Sequence, residues 1–116
     1  MGSFATTIVG ATKRYPTTGA NAAAASAVVA TSPARLYSVS GYSSGAAYIL
    51  IFDATSLPAE GETALLTLVV NGGQFYFDLQ DGLLMSTGIV VCNSSTAVTK
   101  TIGSADTQFV VGYRNI

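Results

Sequence analysis

The chain has 116 residues, of which only 9% are charged: five Lys and Arg against six Asp and Glu, for a net charge of −1. An average soluble domain is about 25% charged, so the surface of this protein must consist largely of neutral side chains. The sequence offers no basic face that could follow a phosphate backbone, which argues against a nucleic-acid partner. Its hydrophobic content of 49% argues against disorder over most of the chain.

The sequence has few of the residue types that catalytic and metal-binding sites require. The sequence has no His and a single Cys, Cys92, so it lacks the residues for a Ser-His-Asp or Cys-His centre, a His- or Cys-ligated metal site or an internal disulfide bond. Asp53, Asp78 and Asp81 could suggest a glycosidase pair or a calcium site, but no dense acidic loop or defined carboxylate pair is evident. We expect Cys92 to be a small buried residue, Asp78 and Asp81 to be solvated, and the protein to be a non-enzyme without cofactor or metal.

The N-terminal part of the sequence differs from the rest. We predict an extended arm over residues 1–22 and a single domain over residues 23–116. The arm has too few apolar side chains to form a core, so they must lie on the domain or on a neighbouring subunit. The stretch from Tyr15 to Ala34 is uncharged, but it is rich in Ala and bounded by Pro33, so no membrane span is expected. The apolar residues of the arm, which are candidate partner-binding residues, are Phe4, Ile8, Val9 and Tyr15.

Strand signals dominate from residue 23 onward. A strand is predicted for residues 23–31, and residues 36–42 alternate aromatic or β-branched residues with Ser, which also predicts a strand. Residues 47–52 are apolar on both faces, which is typical of a central strand covered on both sides. Tyr42 ends its strand before a Ser-Ser-Gly turn. It is therefore the tyrosine whose exposure we expect first, and the fifth candidate partner-binding residue.

The second half of the sequence contains the strongest turn signal. Residues 64–70 and 74–79 are predicted as the two strands of a hairpin, joined by Asn71-Gly72-Gly73, whose residues tolerate a positive φ. Asn93-Ser94-Ser95 matches a glycosylation sequon, but a turn is the preferred interpretation. The other predicted features are a turn at 81–82, one or two strands within 83–92, a turn at 93–96, and strands at 99–102 and 109–113.

These patterns define a fold class. No segment after residue 35 keeps a 3.6-residue apolar period, and turn signals recur about every 8 to 12 residues. Crossover helices, which a parallel sheet requires, are missing from the pattern. The sequence therefore predicts an all-β protein: a single antiparallel β-sandwich or jelly-roll-like domain of about seven or eight strands with an extended N-terminal arm.

Four segments in this order resemble a set of small tailed-phage and prophage virion proteins. They are Ala34-Arg-Leu-Tyr-Ser-Val-Ser-Gly-Tyr42, Tyr48-Ile-Leu-Ile-Phe-Asp53, Phe75-Tyr-Phe-Asp78 and Ser86-Thr-Gly-Ile-Val90. The sequence departs from the family pattern at Arg35, where Gly is usual, and at Ser43, where Asn is usual. The resemblance implies a β-sandwich virion component, either a head-decoration (cement) protein or a tail-associated subunit, and it implies no catalytic residues.

Two functions follow as expectations. The first is a capsid decoration subunit that forms a homo-oligomer, expected to be a trimer, and binds the major capsid protein or another virion protein. Such a subunit would be made in the host cytoplasm and would lie on the outer surface of the phage head, or on the tail. Low charge favours this function, because neutral side chains are desolvated against a partner at low cost. The alternative is a receptor- or carbohydrate-binding module of a tail fibre or tail tip, with exposed Tyr and Asp or Asn in loops at one end of the sandwich.

Overall fold

The computed structural model describes residues 12–16 and 23–116. Within these residues the chain forms eight β-strands and no helix, so no helix there could cross a membrane. The strands are β1 (Lys13–Tyr15), β2 (Ser26–Ala30), β3 (Ala34–Ser43), β4 (Ala47–Phe52), β5 (Leu66–Val70), β6 (Gly73–Met85), β7 (Ile89–Ser94) and β8 (Thr107–Asn115).

The strands form two antiparallel four-stranded sheets. The first sheet has the order β1-β8-β3-β6 and the second has the order β2-β7-β4-β5. Strands β1 and β8 are therefore neighbours, as are β2 and β7, β3 and β6, and β4 and β5. This nested pairing is the order obtained when one long antiparallel hairpin rolls up into an eight-stranded jelly roll. The predicted all-β sandwich of seven or eight strands is confirmed.

The main core lies between the two sheets and follows from strand alternation. Ile49 and Ile51 of β4 are fully buried and pack in one cluster with Leu36 and Val39 of β3. Leu36 and Val39 are an odd number of residues apart, so a regular strand would place them on opposite faces. The register of β3 shifts between Leu36 and Ser38, and this irregularity brings both side chains to the core face.

Strand β4 is buried on both faces, as its sequence predicts. Leu50 and Phe52 point away from the main core and form a second apolar cluster with Val90 and Cys92 of β7. Cys92 is a buried free thiol, as expected, and burial raises its pKa. The second sheet therefore needs a cover on its outer side.

That cover is formed by the loops that follow β4 and β7. Gly61 N donates a hydrogen bond to Lys100 O at 2.8 Å, and Ala64 N donates one to Val98 O at 2.7 Å. The predicted strand at 99–102 forms only two isolated bridges: Thr99 pairs with Thr63 of the loop after β4, and Ile102 pairs with Ser94 at the end of β7.

The predicted hairpin around Asn71-Gly72-Gly73 is wrong. Gly72 and Gly73 do adopt positive φ values of 98° and 91°, which glycine allows without steric cost. However, β5 pairs with β4 in the second sheet, whereas β6 pairs with β3 in the first. The turn thus carries the chain from one sheet to the other. Turn chemistry alone could not distinguish a hairpin from such a corner, because strands distant in sequence decide the pairing.

The predicted turn at 81–82 is also wrong, because β6 continues through it as a bulged strand. The register jumps from Ser38↔Asp78 to Leu36↔Leu83, so β6 carries extra residues at this point. Gln80 adopts a φ of 42° and its N donates to Asp78 Oδ1 at 2.9 Å. The predicted turn at 93–96 likewise begins too early, since β7 includes residues 93 and 94.

Candidate interaction surfaces

Two of the five candidate partner-binding residues lie within the described residues. Tyr15 ends β1 and is half-buried against the main core, so this arm residue lies on its own domain. Tyr42 is 47% exposed at the end of β3. The remaining three, Phe4, Ile8 and Val9, lie outside the described residues, and their role stays a prediction.

Tyr76, rather than Tyr42, is the most exposed of the tyrosines that the structure describes. Its exposed fraction is 67%, because it alternates outward between Phe75 and Phe77 on the edge strand β6. Tyr42 is exposed, as its sequence position predicts, and Tyr76 is a second exposed tyrosine that the sequence did not single out. The sequence gives the alternation of β6, but the position of β6 at an edge depends on the topology.

The carboxylates of the described residues do not gather into a metal-binding group. In the chain from 12 to 16 and from 23 to 116, no three Cys, Asp or Glu side chains converge as a candidate metal site. Asp78 and Asp81 are exposed on β6, as expected. Asp53 was grouped with them in the sequence, but it has a different environment.

Asp53 fastens the crossover between β6 and β7. Its Oδ2 accepts hydrogen bonds from the N and Oγ of Ser86 at 3.0 and 2.8 Å. Its Oδ1 accepts from the N and Oγ1 of Thr87, both at 2.8 Å, and from Gly88 N at 3.2 Å. Two segments of the resemblance, Tyr48–Asp53 and Ser86–Val90, thus meet in one five-donor contact. The presence of both segments in the resemblance is the sequence feature that could have predicted this contact.

These donors decide the charge state of Asp53. Burial alone would raise the pKa of the carboxyl, but the hydrogen bonds from Thr87 and Ser86 outweigh it and hold the pKa well below its ordinary value. A carboxylate that accepts several hydrogen bonds is stabilised in its charged form. Asp53 is therefore charged in the folded protein and holds the β6–β7 crossover against the end of β4, a contact that we call the Asp53 clamp.

A buried polar cluster joins the two sheets at the opposite end of the sandwich. Asn93 of β7 is 3% exposed, and its Nδ2 donates to Asp106 Oδ1 at 2.9 Å and to Thr107 Oγ1 at 2.6 Å. The Thr107 hydroxyl in turn donates to Ser43 Oγ at 3.3 Å. Since the Asn93 amide is enclosed and occupied, the sequon at 93–95 is not an accessible glycosylation site in the folded protein.

Lys100 connects the two covering loops through contacts that the sequence pattern does not predict. Its side chain is 8% exposed, and its Nζ donates to Pro58 O and lies 3.5 Å from Glu60 Oε2. Glu60 Oε1 accepts from Ile102 N at 2.9 Å. Glu60 itself is exposed but paired.

The three arginines lie on the outer face of the first sheet. Arg35 of β3 and Arg114 of β8 are directly opposite each other, so their side chains leave the sheet on the same face. Arg14 of β1 pairs with Gly112, two positions along β8 from Arg114, and shares this face. Arg114 stacks over the Tyr37 ring at 5.6 Å. Among the described residues the one ion pair is Lys100–Glu60, so no carboxylate of this part of the chain pairs with the arginine face.

The opposed arginines lead to a stability prediction. Like charges directly opposite in a sheet repel each other, and Thr has a higher strand propensity than Arg. We expect Arg35→Thr to raise the free energy of unfolding by about 0.5 kcal/mol at low salt, and to raise it less at high salt. A double-mutant cycle with Arg114→Thr, followed by urea denaturation, measures the repulsion. A coupling energy that favours the Arg35–Arg114 pair would contradict this reading.

The second sheet has a different surface. None of the 11 charged residues lies on β2, β4, β5 or β7. On the edge strand β5, Val69 is 58% exposed, and the flanking Leu65 and Val98 are each 52% exposed. Next to them is an open groove of about 270 Å³, whose lining includes Tyr48, Val69, Val70, Asn71 and Ser95.

The fold and these surfaces define a jelly-roll domain with an arginine face on one sheet and an uncharged edge on the other. Comparison with protein-family models, curated proteins and solved structures found no match.

Proposed function

We propose that the protein is a non-enzymatic virion structural subunit of a tailed phage, namely a decoration or cement protein that self-associates and binds the head lattice. The observation that carries this proposal is the edge strand β5 of the second sheet, which has no charged residue and exposes Val69. Neutral apolar surface of this kind is desolvated against a protein partner at low cost. The jelly roll adds support by analogy alone, since viral capsid proteins and lectins share it.

The arginine face is the surface that we assign to the lattice. Arg14, Arg35 and Arg114 lie together without a carboxylate partner among the described residues. Keeping Arg35 opposite Arg114 costs stability, and a carboxylate-bearing partner surface would offset that cost. The proposed subunit thus uses an uncharged surface toward its own copies and a positive surface toward the lattice.

Binding to empty heads tests the proposed function. Heads of the phage or prophage that encodes the chain are mixed with purified protein and sedimented. We expect saturable co-sedimentation, and binding at least about tenfold weaker for the Arg35→Thr/Arg114→Thr variant, which should fold at least as stably as the wild type. Absence of the wild-type protein from the head pellet at every concentration would contradict the proposal.

One observation favours the alternative of a carbohydrate-binding module. The groove brings Tyr48, Asn71 and Ser95 together at the same end of the sandwich as the exposed Tyr42. An aromatic ring beside amide and hydroxyl groups is suited to stacking on and hydrogen bonding with a sugar. A glycan array distinguishes the two functions: saturable binding that Tyr48→Ala abolishes supports the carbohydrate module, and a negative array supports the decoration subunit.

A further inference from the structure

We propose that β5 is the contact through which two copies of this chain pair, edge to edge and antiparallel, about a two-fold axis at Leu68. The inference rests on the proposed function and names its self-association surface. Within the described residues the only strand paired with β5 is β4, so the outer edge of β5 is open. Edge strands of this kind pair with other chains unless a charge, a Pro or a bulge prevents it.

The four edge strands of the sandwich differ in this protection. Strand β6 has Asp78 and the bulge around Gln80, and β1 has Lys13 and Arg14. Strand β2 has a register shift between Val28 and Ala30. Strand β5, with the sequence Leu-Thr-Leu-Val-Val, has a regular register and no charge, Pro or Gly. Pairing is therefore expected at β5 in preference to the other three edges.

The sequence of β5 is complementary to itself. Antiparallel pairing centred on Leu68 places Thr67 of one copy opposite Val69 of the other, and Leu66 opposite Val70. Each cross-strand pair then joins apolar or β-branched residues, which are favourable partners in a sheet. Strand β5 has no charged residue, so pairing with a second copy brings no like charges together. We therefore assign a second copy of this chain as the partner of the β5 edge.

The same register would place an exposed leucine at a groove. Leu65, 52% exposed, directly precedes β5 and would lie opposite Asn71 of the other copy. Asn71 lines the groove of about 270 Å³ together with Tyr48 and Val69. Two-fold symmetry makes the fit reciprocal, since each copy offers one leucine and one groove.

A strained turn beside β5 supports the same surface. Val98 has a φ of 72°, and Thr99 N donates to Ala97 O at 2.7 Å, which makes Val98 the central residue of a rare, strained γ-turn. The Val98 side chain is 52% exposed, and its N faces Thr67 Oγ1 at 3.3 Å. Backbone strain of this kind persists where it serves a function, and here it presents an apolar side chain next to β5.

Light scattering and cysteine pairing test the inference. We expect wild-type protein to have the mass of an even number of copies, and Val69→Lys to weaken the association at least about tenfold. Tyr76→Lys is the matched control, because Tyr76 is a 67% exposed residue on the edge strand β6 of the other sheet and pairs with the uncharged Ser40. Val98→Gly is expected to raise the urea midpoint while weakening the association.

Register is tested by mixing two single-cysteine variants, Thr67→Cys and Val69→Cys, with oxidised glutathione. Opposed residues have Cβ atoms about 4.5–5.5 Å apart, so the mixture is expected to form a disulfide-linked dimer. Either variant alone would place its thiols on diagonal positions about 7–8 Å apart, which a disulfide does not bridge without backbone movement. Cys92 does not interfere because it is buried.

Each outcome has a separate meaning. A trimer or other multimer that Val69→Lys leaves unchanged overturns β5 pairing but leaves the proposed function standing. A monomeric wild type overturns both β5 pairing and self-association, and head binding then decides the remaining part of the proposed function. A dimer that Val69→Lys abolishes but that cross-links in another register overturns the Leu68 axis. Displacement of the dimer by a glycan or by a strand of another virion protein would also overturn the assignment of a second copy.

Discussion

Gly41→Ala is expected to abolish folding. Gly41 lies two residues before the end of β3, paired with Phe75 of β6 and Phe109 of β8, and has a φ of 147°. A Cβ at this position would overlap the main-chain oxygen of Gln108 and lie 2.9 Å from its carbonyl carbon. These backbone atoms cannot move without breaking the β3–β8 ladder. We expect a cost above about 4 kcal/mol, which is enough to unfold a domain at the lower end of the typical stability range of roughly 5–15 kcal/mol.

Circular dichroism and thermal melting of the purified variant measure this effect. Gly45→Ala is the control, because a Cβ there would meet only Asp106 Oδ2 at an ordinary 3.8 Å. The control is expected to stay within about 0.5 kcal/mol of the wild type. A Gly41→Ala protein with the same melting temperature as the Gly45→Ala protein would contradict the close approach of β3 and β8 at Gly41.

Asp53→Asn is expected to remove the clamp between β4 and the β6–β7 crossover. The amide keeps one oxygen but turns an NH₂ group toward donors of Ser86 or Thr87, which leaves N–H and O–H groups unpaired. Because hydrogen bonds to a charged group are the stronger ones, we expect a loss of about 2–4 kcal/mol in the free energy of unfolding at neutral pH. Asp81→Asn, which changes an exposed carboxylate on β6, is the control and is expected to be nearly neutral.

The same clamp predicts a pH dependence. The folded protein holds the pKa of Asp53 below its ordinary value, so the unfolded chain takes up the proton first as the pH falls. The stabilisation is therefore complete above about pH 4–5 and is lost progressively as the pH falls further. Urea titrations across this range should show a steeper acid loss for the wild type than for Asp53→Asn. Parallel curves for the two proteins would contradict the clamp.

The sequence predicted the features that depend on local pattern. Residues 47–52 predicted β4 and its burial on both faces because an uninterrupted apolar run has no polar face to leave exposed. The alternation of Phe75 and Phe77 with Tyr76 and Asp78 gave the two faces of β6 correctly. Cys92 was predicted as buried for the same reason, since it lies within the apolar run of β7.

Features that depend on distant pairing could not be predicted in this way. Asp53 binds Ser86 and Thr87 across 33 and 34 residues of sequence, and Lys100 binds Pro58 across 42. The corner between β5 and β6 has hairpin chemistry but connects two sheets, so its residues alone gave the wrong structure. The arginine face and the open edge of β5 likewise exist only once the jelly-roll order places β8 beside β3 and β5 at an edge.

Imaging of the assembled particle tests the central claim most directly. If the chain is the proposed phage decoration subunit, electron cryo-microscopy of the particle should show a two-sheet sandwich of this size repeated over the outer surface of the head. We expect the arginine face against the capsid lattice and paired β5 edges between neighbouring copies. Density for the sandwich on the tail alone, or its absence from the particle, would contradict the proposed decoration function.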